Sequence, residues 1–249
     1  MPANIFLIHH MKRSGGHAVI NWLVENAPGA VFVNNEIPIQ PILLEQRSVP
    51  DGSMPYDVWL RAKRLRLAGK IADASTLFVS LEDHELTVRP FSHPDTKLVI
   101  VLRHPESLFA SRIRKASHTR RKAYDYNDPL ILQRSVRLWK KHARAALGLE
   151  KPSRPMTAIL YDAWLTADGY RAKLARDFGS DRPSAPSSRP TTEGRGSSFA
   201  QTKIEPADLL RRADFLDDTE KAILATIMAD REMAELADRM KSLVFAVSS

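Results

Sequence analysis

Three short stretches carry the residues whose types and spacing suit chemistry. The first is Lys12-Arg13-Ser14-Gly15-Gly16-His17. Glycines let a backbone approach a ligand closely, and the exposed N–H groups of a helix start attract anions. Lys12 and Arg13 add fixed positive charge and Ser14 adds a hydroxyl donor, so the loop has the parts of a phosphate cradle. A tight strand-to-helix turn with incidental charges would carry the same residues. The spacing is not that of a Walker A loop, and the missing Lys-Ser/Thr pair removes the usual Mg²⁺ ligand, which counts against an ordinary nucleotide triphosphatase. The second stretch runs Arg103-His104-Pro105-Glu106-Ser107-Leu108-Phe109-Ala110-Ser111-Arg112. An arginine can hold a phosphate through two parallel hydrogen bonds, with Ser111 two helical turns on to complete the shell. The plainer alternative is an arginine paired with a carboxylate such as Glu106. The third is Glu82-Asp83-His84, which offers a carboxylate or an imidazole as a base, or a surface turn in which Asp83 caps the next element.

The elements that must position these residues alternate between strand and helix. Asn4 to His9 is a short apolar run read as a first strand, and Val19, Ile20, Trp22, Leu23 and Val24 form the thick stripe of a helix ended by Pro28-Gly29. Residues 36–55, with four prolines, read as an irregular excursion, and Tyr56 to Ala74 as a basic amphipathic helix. Thr76–Leu81 and Lys97–Leu102 are continuous apolar runs of the kind found in parallel sheets covered on both faces. That places Arg103 at the carboxyl end of a strand, where ligands of open α/β sheets gather. Pro105 suits a first helical position. Leu132, Val136, Trp139, Ala143 and Ala146 recur at spacings of four and three and predict one long helix with a single buried stripe. Met156–Tyr161 reads as a further strand followed by a helix to about Phe178. Residues 180–203 form a Ser/Pro/Arg/Gly-rich loop or linker. Pro206 then opens a short helix, and Asp217 or Asp218 caps a final one running to about Met240. The expected fold is α/β, a three-layer sandwich around a mainly parallel sheet, as one domain spanning 1–249 with a helical C-terminal region at 205–241.

With these residues in place, the sequence resembles the sulfotransferases that use 3′-phosphoadenosine-5′-phosphosulfate, a family with a P-loop-like fold. Their 5′-phosphosulfate loop commonly reads Lys/Arg-Ser-Gly-Thr-Thr after the first strand, and Arg13-Ser14-Gly15-Gly16-His17 stands there. Their 3′-phosphate motif reads like Arg-Asn/Asp-Pro-x-Asp-x-x-x-Ser. Arg103, Pro105 and Ser111 keep its intervals, while His104 and Glu106 depart from it. Tyr161-Asp162-Ala163-Trp164-Leu165 looks like a relaxed form of their Tyr-Glu-Asp-Leu segment. Gly16-His17 replaces the usual hydroxyl pair, which leaves backbone N–H groups and the imidazole of His17 to hold the phosphosulfate. In cytosolic relatives a late Arg-Lys-Gly segment closes over the 3′-phosphate. Gly194-Arg195-Gly196-Ser197-Ser198 could do so here, or could be a disordered linker. The family's base, a histidine or glutamate, stands at the end of the strand before the 3′-phosphate strand, which makes Glu82 the first choice here and His84 the second. The resemblance implies a donor held by Lys12, Arg13, Ser14, Gly15, Gly16, His17, Arg103 and Ser111, an acceptor that is a small molecule or glycan, and no metal.

Composition narrows the alternatives. The chain has 37 Lys and Arg against 29 Asp and Glu and a formal charge of +8, which favours polyanionic partners. The absence of cysteine excludes disulfides and thiolate chemistry and suits a reducing cytoplasm. No apolar run reaches the length of a membrane span, and the N-terminus reads as a strand rather than a signal peptide. Arg112, Arg114, Lys115, Arg120, Arg121 and Lys122 read first as a solvated basic face, then as a guide for a polyanion. A nucleic-acid binder would need aromatic residues interleaved with those cations or a recognisable binding module, and neither is visible, so no nucleic-acid partner is expected. An atypical P-loop kinase is the competing enzyme, distinguished by its need for Mg²⁺ and ATP.

Overall fold

The computed structural model describes residues 3–34, 68–88, 96–117, 126, 128–152, 154–180 and 210–248. Five strands, β1 (Asn4–His10), β2 (Ala30–Val33), β3 (Thr76–Glu82), β4 (Thr96–Leu102) and β5 (Met156–Leu160), form one sheet in the order β2-β3-β1-β4-β5. Every pairing is parallel. Because parallel strands need covered crossovers, helices flank both faces and the molecule has three layers, as the apolar runs predict. The register brings His10 beside Glu82 and Val101, and Leu102 beside Leu160. Four strand ends therefore finish at one edge, and the loops that leave them share one crevice.

The helices are α1 (Gly16–Asn26), α2 (Pro105–Ser117), α3 (Pro129–Ala146), α4 (Tyr161–Thr166), α5 (Asp168–Asp177), α6 (Asp218–Met228) and α7 (Arg231–Ser248), with a 3₁₀ turn at Arg212–Phe215. Alternation along β1 sends Ile5 and Leu7 into a cluster with Val33, Ile71, Leu77 and Val79. Phe6 and Ile8 join the larger cluster with Val19, Trp22, Phe78 and Trp139. Each such buried side chain contributes about 1.5–3 kcal/mol. Trp139 also donates its Nε1–H to the Arg103 carbonyl at 3.0 Å, which pins the end of β4 to α3.

The chain departs from the sequence expectations at several places. The short strand β2 follows directly on Pro28-Gly29, where the pattern marks only a helix end. β5 stops at Leu160, and Tyr161 already begins α4. The single helix expected up to Phe178 is two, divided at Ala167. In α3 the buried residues are Ser135, Leu138, Trp139, His142, Ala143 and Ala145, while Leu132, Val136 and Ala146 are only half-buried. The stripe is rotated because the helix turns two polar side chains, Ser135 and His142, towards the core. Asp217 does cap a helix, through a reciprocal box with Glu220, but α6 ends at Met228. Asp230 then accepts from the Met233 amide and starts α7 as a separate helix. Of the expected helix at 56–74, residues 68–72 are helical. The excursion at 36–55, the stretch 181–203 and Pro206 lie outside the described residues. Among the described residues no helix is long and apolar enough to cross a membrane.

Buried histidines make the fold acid-sensitive, His9 and His142 among them. Burial, reinforced by the nearby His142, lowers the His9 pKa to about 3, and burial lowers that of His142 to about 4. Both fall below the ordinary value of about 6.5, so the unfolded chain takes up protons first as pH drops. Stability is full above pH about 6.5 and declines towards pH about 4. Thermal melts across that range should show a falling midpoint, and His9→Leu should make the fall shallower. An equally steep profile in the variant contradicts this account.

Candidate active site

The loop between β1 and α1 is built to present backbone N–H groups. Arg13 (φ 74) and Gly15 (φ 84) both occupy the left-handed region, and the Ser14 amide donates to the Met11 carbonyl at 3.0 Å. A left-handed arginine is a strained choice of the sort that collects at functional sites. Gly15 is required twice over, since a Cβ there would lie 2.0 Å from the Tyr161 ring. Gly16 packs just as tightly, with an added Cβ 2.2 Å from His10 Nδ1. The first turn of α1 has neither a side-chain cap nor an acidic residue, so no side-chain charge within that turn offsets the positive end of its dipole. The Ser14 hydroxyl is buried and has no hydrogen-bond partner among the described residues. Such a group fits a ligand oxygen.

Next to this loop, arginines from three parts of the chain converge. Arg103, 1% exposed, follows β4, donates from Nε to Ser107 Oγ at 2.6 Å and from Nη1 to the Arg13 carbonyl at 3.2 Å, and lies 4.8 Å over the Tyr161 ring. Arg13 Nε donates to Ser111 Oγ at 3.2 Å, and Arg212 Nη1 donates to the same oxygen at 2.6 Å. Arg212, on the 3₁₀ turn, is 5% exposed. Burial first, then the charges of Arg103 and Arg13, push its pKa down to about 8, against the pull of Tyr161. Like charges packed this closely favour a bound polyanion. Asp162, expected as part of the relaxed Tyr-Glu-Asp-Leu segment, accepts from the His104 amide at 2.8 Å and so fixes the turn after Arg103. Its carboxyl is raised by burial against the opposing charge of Arg103.

The candidate bases separate. Glu82 ends β3 with its carboxylate 3.9 Å from His17 Nε2, in the first turn of α1. His10 lies under them, its Nε2 2.8 Å from Ser80 Oγ and its ring 5.3 Å from that of His17. Burial and His17 lower the His10 pKa to about 3, so this imidazole is neutral. Donor atoms of His10, His17 and Glu82 lie within 4.8 Å of one another, a set that could hold a divalent cation and that the irregular histidine spacing concealed. His84 instead lines a cleft of about 380 Å³ with Asp83, Glu85, Val88, Arg134, Arg137 and Leu138, and its carbonyl accepts from His142 Nε2 at 3.0 Å.

The structure thus gathers Lys12, Arg13, Ser14, Gly15, Gly16, His17, Glu82, Arg103 and Ser111 at one sheet edge, with His84 on the adjoining cleft. Arg195, Gly196 and Ser197 lie outside the described residues. Arg212 was missed, because the pair Arg211-Arg212 after Leu209-Leu210 belongs to no motif that would mark it. The basic stretch is not uniformly a solvated face: Arg112 is 3% exposed, and Arg114 pairs with Glu220 at 2.9 Å. Arg120, Arg121 and Lys122 lie outside the described residues. For the glycine contacts the expected outcome is loss of both stability and anion binding. Gly16→Ala should cost about 1–3 kcal/mol by overpacking against His10 and should abolish any rise in melting temperature produced by added sulfate. A variant that melts like wild type and still responds to sulfate contradicts the tight packing.

Comparison with known proteins adds little. No protein-family model matches the chain, and no curated protein matches it. Among solved structures it is similar to a sulfotransferase from Alicyclobacillus acidocaldarius, at 14% identity and a TM-score of 0.47, over 98% of this chain and 96% of that one. A likeness at this level says nothing about activity, so the chemistry rests on the site itself.

Proposed function

We propose that the protein is a sulfotransferase that moves a sulfuryl group from 3′-phosphoadenosine-5′-phosphosulfate to a hydroxyl or amine of a small molecule or glycan. One observation carries the reading: the phosphate-cradle loop and the Arg103–Ser111 motif, far apart in sequence, meet in direct contact, with Arg13 Nε on Ser111 Oγ at 3.2 Å. A ligand with two anionic ends needs two such sites side by side.

On this reading Lys12, Arg13, Ser14, Gly15, Gly16 and His17 hold the 5′-phosphosulfate, and Arg103, Ser111 and Arg212 hold the 3′-phosphate. The acceptor oxygen attacks sulfur in line as the bond between sulfur and the 5′-phosphate oxygen breaks, with phosphoryl transfer as the physical template. Arg13, Lys12 and the leading amides of α1 stabilise charge growing on the departing phosphate. Glu82 takes the acceptor proton, and its place beside His17 at the start of α1 favours it over His84. The 3′-phosphate does not react, so Arg103, Ser111 and Arg212 act by positioning. Arg195, Gly196 and Ser197 remain candidates for closing over the donor. The tethering of Arg112 and Arg114 by carboxylates removes two cations from the stretch a nucleic-acid binder would use.

The test is transfer of labelled sulfate from the donor with EDTA present. Wild type should be active in the chelator, and Glu82→Gln should lose about 10²–10⁴-fold in kcat, the range of a general base. Activity that appears only with Mg²⁺ and ATP, or an unimpaired Glu82→Gln, overturns the reading.

A further inference from the structure

The Lys12 backbone is gripped on both sides by one ion pair from outside the loop. Its N–H donates to Asp83 Oδ1 at 3.0 Å, and its carbonyl accepts from Arg112 Nη1 at 3.1 Å. The two gripping groups are joined to each other, Arg112 Nη1 to Asp83 Oδ1 at 2.8 Å and Nη2 to Oδ2 at 3.3 Å. A closed ring results: backbone, carboxylate, guanidinium, backbone.

Each member is itself anchored. Asp83 holds a left-handed backbone (φ 54) just past β3, and its amide donates to the His10 carbonyl at 2.9 Å, so the turn is tied to the end of β1. Arg112 donates from Nε to the Tyr126 hydroxyl and lies 3.5 Å from Ser135 Oγ of α3. Burial works against both charges. For Asp83 the Arg112 guanidinium and the Lys12 amide outweigh it and hold the carboxyl below its ordinary range. For Arg112 the Tyr126 hydroxyl and the Asp83 carboxylate do the same in the opposite direction. Arg112 is buried and Asp83 half-buried, so removing the carboxylate strands a desolvated guanidinium and costs more than the pair gains by forming.

Position decides what the ring is for. Lys12 immediately precedes Arg13, whose left-handed backbone aims one side chain at Ser111 while its carbonyl receives Arg103. Arg112 immediately follows Ser111. The ring therefore ties the start of the cradle loop to the residue next to the neighbouring anion site, and it does so through the Lys12 backbone.

We infer that Asp83 and Arg112 are positioning residues that preset the cradle loop for the 5′ anion of its ligand. This rests on the proposed function for the identity of that ligand, but not for the existence of the brace. Neither residue touches the reacting atoms. Their effect is to remove the loop-ordering cost that binding would otherwise carry.

The experiment compares Asp83→Asn, Arg112→Lys and wild type, with Lys115→Gln as a control for loss of a cation from the same helix. Binding of adenosine 3′,5′-bisphosphate and of adenosine 3′-monophosphate is measured by calorimetry, and backbone amide exchange is followed across residues 12–16. The brace predicts a Kd for the bisphosphate raised about tenfold or more in both variants, a Kd for the 3′-monophosphate close to wild type, and faster exchange in the loop with β1 still protected. The control should behave as wild type in all three. Equal weakening of both nucleotides would mean general loosening and overturns the inference, as does unchanged exchange in the loop. Should wild type bind neither nucleotide, the sulfotransferase reading falls, and loop exchange alone decides the brace. Asp83→Ala, which deletes the acceptors that Asn partly keeps, should exceed Asp83→Asn in loop exchange, and a smaller effect also counts against it.

Discussion

Positive charge crowded around one serine hydroxyl is the constraint that organises this molecule. Arg13 and Arg212 both donate to Ser111 Oγ, while Arg103 reaches across to the Arg13 carbonyl. Guanidinium groups do not gather in a buried place without a cost, which shows in the lowered proton affinity of Arg212. Local devices soften it. The Tyr161 ring lies beneath Arg103, where its π face attracts a cation, and the buried Asp162 stands near the same arginine. A polyanion would supply what these lack.

Rigid geometry around the cluster follows from the sheet. Parallel register brings the ends of β1, β3, β4 and β5 level, so a loop, a base candidate, an arginine and an aromatic ring leave one edge together. Tyr161 couples two of these, its ring filling the space that only a glycine at 15 leaves open while it also carries Arg103. The Trp139 bond to the Arg103 carbonyl and the ring formed by Asp83, Arg112 and the Lys12 backbone tie the same edge to helices packed behind it. Backbone groups of Lys12, Arg13 and Arg103 are thus held by side chains from other elements, which fixes the edge from which the arginines extend.

Much of this was legible in the residues. Continuous apolar runs such as Lys97–Leu102 read as strands of a parallel sheet, and the glycine pair marked the turn between the first strand and helix. What could not be read was anything decided by distance across the fold. Arg212 comes from a segment with no motif, and only the packing of the 3₁₀ turn against α2 brings it to Ser111. His10 and His17 look unrelated at a spacing of seven, yet a strand end and a helix start fold them together beside Glu82. Arg112 reads as one more cation in a basic run, because the carboxylate that buries it lies on another strand end. β2 was too short to stand out, and the rotated face of α3 depends on polar side chains that an apolar stripe ignores.

The central claim is that this cationic edge binds one ligand with two anionic ends. Isothermal titration of wild type with adenosine 3′,5′-bisphosphate, repeated at rising salt, tests it most directly. One molecule should bind per chain, at least about tenfold more tightly than adenosine carrying either phosphate alone, with affinity falling as salt screens the contacts. Binding no tighter than that of the single-phosphate nucleosides, or none at all, would contradict the account.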